Sequence, residues 1–380
     1  MKISRKDSHL QGDKPEAEVD IAILVGEHSG DLQGSDLIQQ LLTINPHLKI
    51  AAVAGPRMRQ FPIQIIEPME SLQVIGFIDV LKELPKLIRL FYSIRKKLLE
   101  LSPQILLTVD YPEFNFWLQK SLRKNGYLGK QIHYISPTVW AWRKNRVFSI
   151  ANSVDQLLTI LPFEPQCFKK TKLSVQYVGH PLTEKIAKFK PDPTFRERFG
   201  FKETDKILSL FPGSRKQEIE RNLSPMLESA KKLQTLDPDL KIAICGEDFI
   251  PFSENYNLMH ESFAAFAKSG TVTLELALFQ IPTLVQYAIK PLDVFIATKL
   301  FRIDLPFYSL PNLIAQKEIF KELFGPHLTP ESHFSHAKEL WFDSKKQQTI
   351  REECKKLWEI LGSHSASQAA AKQILSAIQT

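Results

Sequence analysis

Short apolar runs alternate with amphipathic stretches along most of this chain, and the alternation starts twice. "DIAILV", "KIAAVAG", "QILLTVD", "QIHYIS" and "QLLTILP" read as strands of a parallel sheet, with helical segments between them. After "VQYVGHPL" the pattern resumes with "KILSLFPGS", "KIAICGED" and "PTLVQY". Two such series predict two doubly wound α/β domains, divided near residue 180 and facing each other across a cleft. The expected boundaries are 1–180, 181–330 and a helical segment over 331–380, which carries "TIREECKKLWEIL" and "ASQAAAKQILSAI".

A length of 380 residues suffices for two cores, and 43% hydrophobic with 24% charged residues is ordinary for a globular chain. No apolar run reaches the length of a membrane span, and "MKISRKDSHLQGDKPEAEVD" lacks the apolar core of a signal peptide, so a cytoplasmic protein is expected. Cys167, Cys245 and Cys354 form no C-x-x-C pair and read as structural thiols. The net charge of +7 admits nucleic acid, an anionic membrane or anionic small molecules as partners. No zinc finger or aromatic RNA-binding motif is present, which favours a membrane surface or phosphate ligands over nucleic acid.

Ligands of open parallel sheets sit beyond the carboxyl ends of the strands. The first strand runs into Gly26, Glu27, Ser29, Gly30, Asp31 and Gly34, spaced as neither a dinucleotide fingerprint nor a Walker loop. A tight turn into a helix beginning near Asp31, with Ser29 or Asp31 as its cap, accounts for these residues equally well. As a site, two acids repel phosphate and suit sugar hydroxyls. Asp110 ends "QILLTVD" and either forms a capping box with Glu113 behind Pro112 or serves as a general base. "QIHYISPTVWAWRKNRV" places Ser136, Trp140, Trp142 and Arg143 after another strand, where packing is the default role for the tryptophans. Gly213, Ser214 and Arg215 open a helix whose free N–H groups suit a diphosphate. Ser269, Gly270 and Thr271 open another, on which Glu275 is the one acid among Val272, Leu274, Leu276, Ala277 and Leu278. That carboxylate fits two ribose hydroxyls or an internal salt bridge. No paired carboxylates or metal-ligand clusters are visible. Residues 76–100, basic and aliphatic and broken by Pro85, suit either packing on the sheet or an anionic bilayer; residues 291–307 are a second such stretch.

Taken in order, "GEHSGDLQG", "AVAGPRM", "VDYPEFN", "YISPTVWAWR", "LPFEP", "YVGHPL", "LFPGSR", "SGTVTLE" and "LPNLIA" resemble the lipid-A-disaccharide synthases, inverting glycosyltransferases of the GT-B type. The resemblance implies transfer from UDP-2,3-diacylglucosamine to the 6-hydroxyl of 2,3-diacylglucosamine 1-phosphate, giving a β-1,6 disaccharide and UDP without metal or cofactor. It also implies a peripheral position on the cytoplasmic face of the inner membrane, whose anionic surface is a partner, and dimers that exchange carboxyl-terminal segments. By residue, it makes Asp110 the catalytic base or the orienter of the acceptor hydroxyl. Gly213, Ser214, Arg215, Ser269, Gly270, Thr271, Glu275 and Asn312 fall on the donor side, and Glu27, Ser29, Gly30, Asp31, Ser136 and Trp140 on the acceptor side. His28 and Tyr111 depart from the family pattern by added bulk, and the stretch from Lys241 to Gly270 is shorter than the family's by a helix and a strand. Other readings are a different UDP-sugar enzyme, such as an epimerase or a transferase to another lipid, and a shortened lipid-binding protein without turnover.

Overall fold

The computed structural model describes residues 19–72, 77–141, 144–246, 248–288, 305–362 and 365–378. The polar N-terminal stretch through residue 18, Trp142, Arg143 and most of the basic segment 291–307 lie outside these residues. The chain divides into two compact units, Met1–Tyr134 with Asn152–Gln156 and Ala371–Thr380, and Ile135–Ala151 with Leu157–Ala370.

The first sheet comprises β1 (Ile21–Val25), β2 (Ile50–Ala54), β3 (Gln64–Pro68), β4 (Ile105–Val109), β5 (Lys130–Tyr134), β6 (Gln156–Thr159) and β7 (Ser174–Tyr177). Its strand order is β3-β2-β1-β4-β5-β6-β7. Interleaved are α1 (His28–Ile44), α2 (Phe77–Leu101), α3 (Pro112–Lys124), α4 (Arg146–Ala151) and α5 (Glu164–Cys167). β1 and β4 are buried throughout, which is why both read as unbroken apolar runs. Phe91, Ile94 and Leu98 of α2 join Leu24, Val53 and Leu106 of the sheet in one core. The basic stretch therefore packs one face inward, and Pro85 does not break it, because α2 runs continuously through that residue. Its other face exposes Ile88 and Tyr92, with the Arg95 guanidinium 4.7 Å above the tyrosine ring.

The short helices α6 (Pro181–Ala187) and α7 (Phe195–Arg198) precede a second sheet. It is built from β8 (Lys206–Phe211), β9 (Leu240–Ile244), β10 (Ser262–Lys268), β11 (Thr283–Tyr287) and β12 (Lys321–Phe324), ordered β12-β11-β10-β8-β9. Around it lie α8 (Lys216–Leu236), α9 (Asn255–Glu261), α10 (Thr271–Leu278), α11 (Leu310–Ala315), α12 (Pro330–Phe342) and α13 (Ser344–Leu361), followed by α14 (Ala366–Ser376). Met226, Ala230 and Leu233 of α8, with Cys354 and Leu357 of α13, enclose the buried faces of β8 and β10. Two sheets with interleaved helices and a helical carboxyl-terminal segment are the architecture the alternation predicts. Four strands escaped that reading, namely β3, β7, β10 and β12. Of the described strands, β9 ends the second sheet.

Candidate active site

In each sheet the strand order reverses once, between β1 and β4 in the first and between β8 and β10 in the second. Strands on either side of such a switch point send their connections in opposite directions and leave a crevice at their carboxyl ends.

At the first switch point β1 and β4 run parallel with Val25 beside Val109, so Gly26 and Glu27 emerge alongside Asp110. Asp110 and Tyr111 both adopt left-handed backbone angles, with φ of 49° and 48°. Two consecutive non-glycine residues there cost about 1–3 kcal/mol each and persist only where neighbours hold them. The Asp110 N–H donates to the Tyr134 carbonyl at 2.9 Å, and the buried Asn115 side chain donates to the Asp110 carbonyl at 2.7 Å. The Tyr111 hydroxyl donates to the Leu72 carbonyl at 3.3 Å, and its ring lies over Gly26, where a Cβ would come within 2.3 Å of it. Asp110 forms no capping box: Tyr111 is the N-cap of α3 and no side chain caps it. Its carboxyl is pushed up to about 6, first by burial and then by the neighbouring Glu27 carboxylate. The sequence shows no paired carboxylates, yet folding pairs these two.

α1 begins at His28, earlier than the sequence suggests, and Glu27 rather than Ser29 or Asp31 is its N-cap. Glu27 and Ser29 are exposed, and the serine hydroxyl donates to Glu27 Oε1 at 2.9 Å. Asp31 is turned inward: it is buried, and its oxygens accept the Arg57 and Met58 amides at 2.9 and 3.1 Å. Gly30 is buried beside Val25 and the Val109 carbonyl. The acid reading of this loop thus divides between Glu27, open to a ligand, and Asp31, committed to the loop after β2.

After β5, Ile135 also takes a left-handed φ of 73°. Ser136 is buried and its hydroxyl donates to the Pro137 carbonyl. Trp140 packs edge-on against Phe163, with ring centres 5.6 Å apart, so the packing role holds for it. Beneath lies Glu164, a residue the sequence did not single out. It is buried and accepts the Leu161 amide at 3.0 Å. Burial pushes its carboxyl up to about 7, against the opposing pull of the Leu161 and Ile160 amides and the Trp140 indole. His180, in "YVGHPL", caps α6 by accepting the Leu182 amide, and burial depresses it to about 4.

The second switch point has the opposite character. Gly213 takes a φ of +119°, where an added Cβ would lie 2.8 Å from that of Glu218. Ser214 and Arg215 then lead into α8. Arg215 is 85% exposed, with only a 3.8 Å approach to Glu218, whereas Lys268 at the end of β10 pairs with Glu218 at 3.2 Å. α10 starts where the sequence predicts, with Gly270 as its N-cap, and Ser269 donates its N–H to the Gln286 carbonyl and its hydroxyl to the Tyr308 carbonyl. Thr271 is exposed at the first turn. Glu275 finds an internal partner, accepting the Tyr256 hydroxyl at 2.9 Å, and burial raises its carboxyl above the usual range. Asn312 is fully buried. Its amide donates to Phe320 O and Glu322, and its oxygen accepts the Ile319 and Phe320 amides, all within 2.9 Å. No valence remains for a ligand, and Asn312 instead holds α11 to β12.

The lipid-A-disaccharide synthetase family model matches residues 21–248 and 245–378, two stretches that meet just after β9. Lipid-A-disaccharide synthase of Chlamydia pneumoniae is 37% identical over 389 residues, covering 97% of this chain and 64% of that protein. The chain thus spans under two thirds of the length of that relative. The synthase of Colwellia psychrerythraea is 32% identical over 346 residues, covering 86% of this chain and 87% of that protein. Among solved structures, UDP-GlcNAc 2-epimerase from Neisseria meningitidis bound to UDP-GlcNAc shares the fold, with a TM-score of 0.63 at 12% identity over 94% of this chain and 100% of that one.

Proposed function

The chain belongs to the lipid-A-disaccharide synthetase family, and on that premise we propose that it joins two acylated glucosamines. The donor is UDP-2,3-diacylglucosamine and the acceptor the 6-hydroxyl of 2,3-diacylglucosamine 1-phosphate. The products are the β-1,6 disaccharide 1-phosphate and UDP. The observation that carries the reading is Asp110, a strained, clamped carboxylate at the first switch point, raised to about 6 and so ionised at neutral pH. In this role it accepts the proton of the 6-hydroxyl as that oxygen attacks the anomeric carbon. The bond to UDP breaks on the opposite face, which inverts the centre. Negative charge developing on the diphosphate meets Arg215 and the amides that open α8 and α10.

Acceptor hydroxyls fall to Glu27 and Ser29, the exposed polar side chains of the same loop. Basic, partly apolar α2 supports contact with an anionic membrane surface, since Ile88, Arg89, Tyr92 and Lys96 are all exposed. Among the described residues no helix is long and apolar enough to cross a membrane.

The test is UDP release by the purified protein given the donor with and without the acceptor. Release that requires both, with a disaccharide product, is the expected result. Conversion of the donor alone would make the protein an epimerase-like enzyme, and no release from folded protein would overturn transfer altogether.

A further inference from the structure

The pairing of Glu27 with Asp110 has no counterpart at the second switch point. It is set by backbone register: β1 and β4 lie abreast through Val25 and Val109, and the chain leaves them with Glu27 on one side and Asp110 on the other. The Asp110 backbone is clamped by Tyr134 and Asn115, and Glu27 is held by the Ser29 hydroxyl at 2.9 Å.

We infer that Glu27 is a positioning residue for the reaction proposed above, its carboxylate standing beside Asp110 so that repulsion between the like charges keeps Asp110 a strong enough base to take the acceptor's proton. The inference rests on that reading of the function. Repulsion between like charges favours capture of the incoming hydroxyl's proton by Asp110.

The surroundings leave Glu27 as the group able to do this. Tyr111, at the start of α3, is itself pushed up by burial and by Glu27. Glu113 stands in the first turn of α3. From α1, Asp31 is occupied by the Arg57 and Met58 amides, and His28 acts on Glu70. β5 offers Asp110 the Tyr134 carbonyl, while His133 on that strand bonds Thr108 at 2.7 Å. No cation among the described residues offsets the pair at Asp110.

The experiment titrates Asp110 directly, by carboxyl-carbon NMR of aspartate-labelled protein, its signal identified by its absence in Asp110→Asn. In Glu27→Gln the Asp110 midpoint should fall by about one pH unit or more, because a like charge is removed. Glu27→Asp, which keeps the charge, should recover part of that shift. An unmoved midpoint in Glu27→Gln overturns the inference. Rate profiles form the second arm: the acid limb of kcat should move down with the midpoint, whatever change the acceptor KM shows. A raised acceptor KM with an unmoved acid limb would make Glu27 a binding residue only. The NMR arm needs no turnover, so an inactive wild type would sink the proposed transfer and leave the carboxyl pair to be judged separately.

Discussion

At the β1–β4 junction this chain ends two strands in acids, that of β4 on strained backbone; at the β8–β10 junction it ends them in small residues and cations at the starts of helices. The topology is the same in both places. What differs is the work each switch point can do. A base must be held away from water at a fixed angle, and the first junction spends stability on left-handed residues and on a buried carboxylate to achieve that. An anion needs only amides and a mobile cation, and the second junction supplies them with Gly213 as its one left-handed residue and an Arg215 that is almost wholly exposed. On the proposed roles, the catalytic corner is legible as strain and the binding corner as relaxed backbone with an exposed cation.

Asp110→Asn sharpens this contrast most. Turnover should fall by about 10²–10⁴-fold. Stability should rise, since asparagine tolerates left-handed angles and carries no buried charge. The sign follows from linkage: a carboxyl raised from 3.8 to about 6 favours the folded state below its unfolded value, and that contribution is lost as pH climbs from about 4 through 6. Thermal melts at pH 7.5 check it, and a lower melting temperature would show that the carboxylate itself holds the loop.

Asn312→Ala should cost about 2–4 kcal/mol of stability in denaturant titration, because four buried hydrogen bonds lose their partner. UDP affinity of the folded fraction should hold. Lost affinity at unchanged stability would break the contrast by making Asn312 a ligand residue. Arg215→Ala should do the reverse, leaving the melting temperature alone and weakening UDP binding by about 10–100-fold in calorimetry, the worth of a charge-assisted bond. Smallest is Glu164→Gln. A carboxyl raised from 4.5 to about 7 penalises the folded state as pH rises through 7, so the variant should gain about 1–3 kcal/mol at pH 8 and nothing at pH 4. An equal gain at both would place the effect in packing rather than charge.

The two sheets were legible because β1, β4 and β8 are buried on both faces and so read as continuous apolar runs. β10 was not, since "SFAAFAK" is poor in β-branched residues and its alanines favour helix. Yet β10 carries Ser269, Gly270 and Thr271 to the switch point, so that motif was found without the strand that places it. Asp110 stood out because it follows an apolar run directly, and Arg215 because it follows the turn that such a run enters. The carboxyl pair did not, because nothing local links Glu27 to Asp110; only the crossover that sets β4 beside β1 joins them. Asp31 and Asn312 misled for a related reason: a polar residue in a motif looks the same whether it faces a ligand or, as here, its own backbone.

The contact between Gly26 and the Tyr111 ring also limits how this corner can change over time. Any side chain at position 26 collides with the ring at its present place. A substitution at 26 is therefore accessible only after Tyr111 has been replaced by something small, whereas Tyr111 is free to shrink first. The two positions can therefore change in one order only, Tyr111 before Gly26.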